Sequence, residues 1–189
     1  MLEFAILGLL HEEPMHGYQL RKRLNTLLGT LRAFSYGSLY PTLRRMKNRG
    51  WISQSDPAPS SGVPALTGRR GKIVYQLTGQ GKERFAELLA DAGPTAWEDD
   101  DQFGVHFAFF SQTRADVRLR ILQGRRRRVE ERREGMRAAL ARTRERVDRY
   151  TRELHKHGLE SVDREVRWLD ELIAHEQLDD PDPPDRSAD

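Results

Sequence analysis

Apolar side chains recur at steps of three and four residues through the first fifty positions, and this spacing predicts short helices. The first predicted helix is interrupted at Pro14, the second runs from about His16 to Leu28, and the third lies between Ser35 and Gly50. Each of these helices carries an apolar side that we expect to be buried.

The third helix has the ends and the polar surface of a helix that can bind DNA. Ser35 is a good N-cap residue, and Gly50 can adopt the left-handed conformation that ends a helix. Pro41 is expected within the first turns, where a missing N–H costs least. The face predicted to be buried carries Leu39, Leu43 and Met46. The opposite face carries Tyr36, Ser38, Arg44, Arg45, Lys47 and Arg49. Small polar groups at the amino end of such a helix can meet base edges, while cations lie farther along.

A β-hairpin and a fourth helix are predicted next. Residues 52–55 and 72–77 have the composition of strands, and the loop between them is rich in Pro, Ser and Gly. The tip of this hairpin ends in a basic run of Arg69, Arg70 and Lys72. Thr78 then caps a helix that extends to about Ala92. Three helices, a hairpin and a helix form a winged helix-turn-helix domain, which we assign to residues 1–92.

The second half of the chain predicts long helices with a narrow apolar seam. A helix that starts near Thr113 meets no strong breaker before Gly158, and a final helix begins at Ser161. The predicted seam residues are Leu119, Leu122, Val129, Met136, Leu140, Val147, Tyr150 and Leu154, with Val166, Leu169 and Ile173 on the final helix. Arg126 and Arg133 interrupt this seam. Residues 113–177 are therefore predicted to form an antiparallel helix pair that packs against a second copy. The alternative is a hairpin within a monomer.

Residues 93–112 form a predicted junction, which is acidic in its first half and aromatic in its second half. Phe103, Phe107 and Phe110 fit one short helix. Together with Trp97 and Trp168 they form either a hydrophobic plug or a pocket for a small aromatic effector. Residues 178–189, which include Pro and Asp, are expected to be a disordered tail because they cannot bury enough apolar surface.

The net charge of +3 conceals a division between the two halves of the chain. Residues 1–90 hold 13 Lys and Arg against 6 Asp and Glu, whereas residues 91–189 hold 19 against 23. The basic half contains the third helix, as phosphate binding requires. A basic face can also be merely solvated, so the charge supports DNA binding only together with the order of elements.

Several classes of protein fit the sequence poorly. Cysteine is absent, so disulfides, thiol nucleophiles and Cys-based zinc sites are excluded. The six histidines include no pair at the four-residue spacing of a zinc protease. We therefore expect no catalytic residues, no metal site and no cofactor, and no enzyme. The apolar run of residues 4–10 is too short to cross a bilayer, so a cytoplasmic protein without a membrane partner is expected.

Four motifs resemble those of the PadR family of transcriptional regulators. They are His16-Gly17-Tyr18-Gln19-Leu20, Gly37-Ser38-Leu39-Tyr40-Pro41-Thr42-Leu43, Gly50-Trp51-Ile52 and the run from Tyr75 to Gly81. The resemblance covers roughly residues 1–90. It implies a homodimer joined by its C-terminal helices, repression of transcription, and an effector site near the junction. Two features depart from the family pattern, namely the long wing loop of residues 56–71 and the large side chain of Trp51.

The sequence as a whole predicts a mainly α protein, with an N-terminal winged helix-turn-helix domain followed by a C-terminal long-helix dimerisation domain. Its predicted partners are double-stranded operator DNA, a second copy of the chain and a small aromatic effector. The predicted DNA-binding residues are Tyr18, Tyr36, Ser38, Tyr40, Arg44, Arg45, Lys47, Arg69, Arg70 and Lys72. The expected function is that of a dimeric repressor that an effector releases from DNA. The alternative is a helical protein-interaction module whose basic face is incidental.

Overall fold

The computed structural model describes residues 1–28, 36–55, 73–143 and 148–179. Within them the chain forms two compact units, one made of residues 1–91 and 100–112 and the other of residues 92–99 and those from 113 onward. The predicted fold class is confirmed, since a small three-stranded sheet accompanies helices in the first unit and two long helices dominate the second.

The first unit has the predicted order of elements, with one short strand added. Its elements are α1 (Leu2–Glu12), β1 (Met15–His16), α2 (Gly17–Leu28), α3 (Tyr36–Asn48), β2 (Ile52–Ser55), β3 (Val74–Leu77), α4 (Gly79–Ala90) and α5 (Asp100–Ala108). The strands form an antiparallel sheet in the order β1-β3-β2, with Met15 opposite Tyr75 and Ile52 opposite Leu77. The sequence pattern missed β1 because a two-residue strand has no periodicity of its own.

Helix α1 is the centre of the first unit. Residues 4–10 are all buried, and α1 contacts α2, α3, α4 and β3. Gly8 allows the ring of Phe109 to approach α1, because a Cβ at this position would lie 2.3 Å from two carbon atoms of that ring. The rings of Phe4 and Phe85 pack against Phe109 with centroids 5.4 and 5.7 Å away. The apolar run near the amino end is therefore core, as predicted.

The segment predicted as one junction, residues 93–112, is divided between the two units. Residues 100–112 belong to the first unit, where the Phe107 ring packs against Phe103 and Phe110 at centroid distances of 5.8 and 5.0 Å. Trp97 belongs to the second unit, as does Trp168. The five aromatic residues proposed for an effector site thus come from both units.

The second unit is an antiparallel hairpin of α6 (Ala115–Thr143) and α7 (Arg149–Asp179). The predicted break at Gly158 and start at Ser161 are wrong, because α7 passes through both residues. Asp148 caps α7 instead and accepts hydrogen bonds from the backbone N–H groups of Tyr150 (2.8 Å) and Thr151 (3.1 Å). Gly158 serves packing, since a Cβ there would lie 2.8 Å from the Cε of Met136. Because α7 extends to Asp179, the predicted tail of residues 178–189 begins inside a helix.

Burial in this hairpin follows the predicted seam only in part. Leu122 and Val129 on α6 and Val166 and Leu169 on α7 are buried, whereas Tyr150 and Leu154 are 82% and 68% exposed. The remaining predicted positions Leu119, Met136, Leu140 and Ile173 are half-buried, and Val147 lies outside the described residues. The pattern missed Val117, Ile121 and Arg125, which are also buried. These three follow the four-residue step of a straight helix, which a heptad frame does not track.

Arginines at the centre of the hairpin are paired across it. Arg125 is 3% exposed, and its Nε and Nη2 donate to Oε1 of Glu165 at 2.9 and 2.5 Å. Oε2 of the same carboxylate accepts from Arg132 at 2.6 Å. Arg126, an apparent interruption of the seam, donates to Asp170. Charges at these positions are tolerated because each has an acidic partner on the facing helix.

Candidate nucleic-acid interface

Helix α3 presents one face to the core and the other to solvent. Leu39, Leu43 and Met46 are buried, as predicted, while Arg44 and Lys47 are exposed. An amphipathic helix of this kind is held by its apolar face and leaves its polar face free to meet a partner.

The carboxyl end of α3 is closed by the predicted glycine. Gly50 has φ of +73°, its N–H donates to the carbonyl of Lys47 at 2.9 Å, and the N–H of Trp51 donates to the carbonyl of Met46 at 3.0 Å. This pair of hydrogen bonds is a Schellman motif. The Thr78 hydroxyl donates to the carbonyl of Gly50 at 2.5 Å and accepts from the N–H of Gly81 at 3.1 Å. One threonine therefore caps α4 and ties its start to the end of α3.

The expectation that Pro41 lies where its missing N–H costs least is corrected by the structure. Pro41 is inside α3, beyond the first turn. A proline at this point cannot donate to the carbonyl of Gly37 and removes one hydrogen bond of the helix. Pro41 is exposed, while the neighbouring Thr42 is buried.

Tyr18 and Tyr40 lie beside a cleft of about 410 Å³ at the start of α2. Both are exposed, Tyr18 to 70% and Tyr40 to 49%. Gly17 allows the Tyr40 ring to approach, because a Cβ there would lie 3.3 Å from its Cε1 atom. The amino end of α2 is fixed by Gln19, whose side-chain oxygen accepts from the N–H of His16 at 3.0 Å. The two tyrosines predicted as DNA contacts are therefore brought together on one surface.

The cations of α3, and Arg49 directly after it, differ in their hydrogen-bonding partners. Arg45 donates from Nε to Oε1 of Glu3 at 2.9 Å, and Nη1 of Arg49 lies 3.3 Å from Oε2 of the same carboxylate. Lys47 donates to Oε1 of Gln54 at 2.6 Å. Arg44 makes no hydrogen bond or ion pair with any residue in the described ranges. Sequence reasoning missed Glu3 and Gln54, because no local pattern links them to α3.

Part of the predicted interface lies outside the described residues. Arg69, Arg70 and Lys72 lie outside the described residues, and so does the side chain of Tyr36. Ser38 is half-buried near the start of α3. The described part of the interface therefore consists of Tyr18, Ser38, Tyr40, Arg44, Arg45 and Lys47.

The described residues contain no group of three or more histidine or carboxylate side chains placed to hold a metal ion. None of their helices is long and apolar enough to cross a membrane.

Residues 6–87 match the family model described as the transcriptional regulator PadR-like family. The chain is 25% identical over 111 residues to the negative transcriptional regulator PadR of Bacillus subtilis, covering 59% of this chain and 57% of that protein. It is 29% identical over 90 residues to a Mycobacterium tuberculosis protein named "Probable transcriptional regulator Rv1176c", covering 48% and 44%. The chain thus aligns with about half the length of the curated relatives it matches.

Among solved structures, the chain is similar to Bacillus subtilis PadR in complex with operator DNA. The identity is 19% and the TM-score 0.43, with 93% of this chain and 98% of that chain covered. The match over residues 6–87 coincides with the winged-helix unit built around α1 and α3. The amino-terminal domain of this chain therefore belongs to the PadR-like family of transcriptional regulators.

Proposed function

We propose that this protein is a sequence-specific DNA-binding repressor that acts as a homodimer. The observation that carries the proposal is the exposed face of α3, where Tyr40, Arg44 and Lys47 face solvent while the opposite face is fixed in the core. A helix held in this way can enter the major groove with its amino-terminal half toward the bases.

Different residues of the interface serve different purposes in this proposal. Ser38, Tyr40 and Arg44 contact base edges, as does Tyr36. Lys47 contacts phosphate, which holds the protein in register without reading sequence. Tyr18 and the wing residues Arg69, Arg70 and Lys72 contact the DNA backbone or a neighbouring minor groove, whose narrow forms attract arginine.

A second copy is required because one winged-helix unit reads only half of an operator. Two half-sites lie roughly 34–36 Å apart on one face of the duplex and match a two-fold symmetric dimer. The α6–α7 hairpin is the proposed dimerisation domain. Its support is the exposed apolar surface at the start of α7, formed by Tyr150 and Leu154.

Repression and its release by an effector complete the proposal. Repression is favoured by the relative named as a negative transcriptional regulator. A small aromatic effector is favoured by the packed rings of Phe103, Phe107 and Phe110, whose faces and edges suit another aromatic ring.

The first test is to select the duplexes that the protein binds from a random pool. The second is to titrate a selected duplex and a scrambled duplex with the protein at several salt concentrations. We expect a selected site with two related halves and an affinity that falls steeply with salt, because phosphate binding releases counterions. Arg44→Ala should relax the preference at one base position; a uniform loss across all sequences would instead assign Arg44 to phosphate. Failure to retain any duplex would favour the helical protein-interaction module.

A further inference from the structure

A carboxylate from α1 lies among the cations of the proposed DNA-binding helix. Oε1 of Glu3 accepts from Arg45 at 2.9 Å, and Oε2 accepts from Arg49 at 3.3 Å. The Glu3 side chain is 27% exposed, and both arginines are about half exposed. Glu3 lies in the first turn of α1, where a negative charge interacts favourably with the helix dipole. The charges of two arginines of this surface are thus already partly neutralised within the protein.

The same arginines remain accessible from outside. Arg45 and Arg49 line an open groove of about 680 Å³, together with Tyr40, Pro41, Arg44 and Asn48. An external anion that reaches Arg44 along this groove is therefore close to Arg45 and Arg49 as well.

Both guanidinium groups have further contacts that hold them in position. Arg45 also donates to the hydroxyl of Thr42 at 3.1 Å, and Arg49 lies over the ring of Trp51 at 4.9 Å from its centroid. Loss of the carboxylate would leave these arginines oriented but unneutralised. They would then form a ready site for phosphate.

We propose that Glu3 is an internal competitor for DNA phosphate at Arg45 and Arg49. It weakens binding to duplex DNA of any sequence, and it thereby increases the share of the affinity that comes from base contacts. An arginine paired with a carboxylate releases no counterion when DNA arrives, and the carboxylate itself repels the phosphate. This inference rests on the proposed function, because it assumes that the groove of α3 faces DNA.

The test is Glu3→Gln, which keeps the shape of the side chain and removes its charge. For a scrambled duplex, we expect the slope of log affinity against log salt concentration to increase in magnitude by about one to two. Each added phosphate contact contributes roughly 0.9 to this slope. Affinity for the scrambled duplex should rise more than affinity for the selected one. The matched control is Glu12→Gln, which removes the same charge from the same helix but takes one carboxylate from Arg23, which keeps Glu13 at 3.0 Å.

Further variants keep the test decisive. Adding Arg45→Gln and Arg49→Gln to Glu3→Gln should restore the parental salt slope. If Glu3→Gln fails to fold, Glu3→Ala gives the same test, because the steeper slope depends on the loss of the carboxylate and not on the amide that replaces it.

Several results would overturn the role of Glu3. They are equal slopes for Glu3→Gln and Glu12→Gln, a steeper slope that persists without the two arginines, or weaker binding by Glu3→Gln. A parental chain whose duplex binding is absent or independent of salt would overturn the proposed function itself. The two failures are therefore distinguishable.

Discussion

Two glycines of α6 differ in what the absence of a Cβ makes possible. A Cβ at Gly124 would lie 2.6 Å from two atoms of the Trp97 ring, whereas a Cβ at Gly135 would meet nothing within 4 Å. Gly124 therefore lets an indole lie directly on the helix. Gly135 only weakens the helix, because glycine loses more conformational freedom on folding than alanine does.

Alanine substitutions at these two positions should change the free energy of unfolding in opposite directions. Gly124→Ala should lower the free energy of unfolding by about 2 kcal/mol through overpacking against Trp97. Gly135→Ala should raise it by about 1 kcal/mol. Urea unfolding followed by circular dichroism measures both changes. A stabilised Gly124→Ala would show that Trp97 can move away from α6 at little cost.

Burial makes His106 a pH-sensitive residue of the first unit. Burial lowers its pKa from 6.5 to about 4, with the amino terminus adding to the decrease and Asp91 opposing it. The ring packs edge-on against Phe4 at 4.7 Å between centroids. Above pH 6.5 both the folded and the unfolded states hold the ring neutral, so His106 adds no pH dependence there.

Stability should therefore fall as the pH drops from 6.5 to 4, because only the unfolded state takes up the proton in this range. The shift corresponds to a loss of about 3 kcal/mol at pH 4 and below. In His106→Phe, that part of the pH dependence should disappear. Urea unfolding at pH 4, 5, 6 and 7 measures it, and an identical decline in parent and variant would assign the effect to other groups.

At the scale of elements, the α6–α7 hairpin depends on a buried ion pair as well as on apolar contacts. Glu165 holds Arg125 and Arg132 on the facing helix. Glu165→Gln should lower the free energy of unfolding by about 2 to 3 kcal/mol, because the buried charge of Arg125 loses its compensation. Adding Arg125→Met should recover most of this loss.

The matched control for the hairpin is Glu134→Gln, which removes an exposed partner of Arg137. Surface pairs contribute little, so its effect should stay within about 0.5 kcal/mol. Thermal and urea unfolding of the parent and the three variants give the comparison. Equal effects of Glu165→Gln and Glu134→Gln would mean that Arg125 is well hydrated despite its burial.

At the scale of the whole molecule, the start of α7 leaves apolar side chains in solvent. We expect the double change Tyr150→Glu and Leu154→Glu to produce a folded monomer, because both side chains are exposed within one chain and charges there oppose burial in a dimer. The monomer should bind a two-half-site operator more weakly, since each half then binds without its tethered neighbour.

Sedimentation velocity at several concentrations, combined with a DNA titration, measures both effects. Gln123→Glu, an exposed change on α6, is the control. A parental chain that sediments as a monomer at about 50 μM, above the dissociation constants of most specific dimers, would contradict the dimer. A dimeric double variant would place the interface elsewhere on the hairpin.

Local signals in the sequence were sufficient for the helices and the hairpin strands β2 and β3 of the first unit, and for its family. Gly50 ends α3 and Thr78 caps α4 because both effects depend only on residues a few positions away. The buried face of α3 follows from helical spacing for the same reason. The order of helices and hairpin then indicates the winged helix, and the motifs within residues 6–87 indicate the family.

Tertiary structure decided what depends on residues distant in sequence. Glu3 reaches Arg45 from another helix, and β1 becomes a strand only because β3 lies beside it. Gly158 has the same local signature whether it ends a helix or receives a Met136 side chain, so only packing could tell these apart. Local spacing determines which side of a helix is apolar. Which element covers that side, and which charges are neutralised there, depends on contacts between residues that are distant in sequence and meet only in the folded chain.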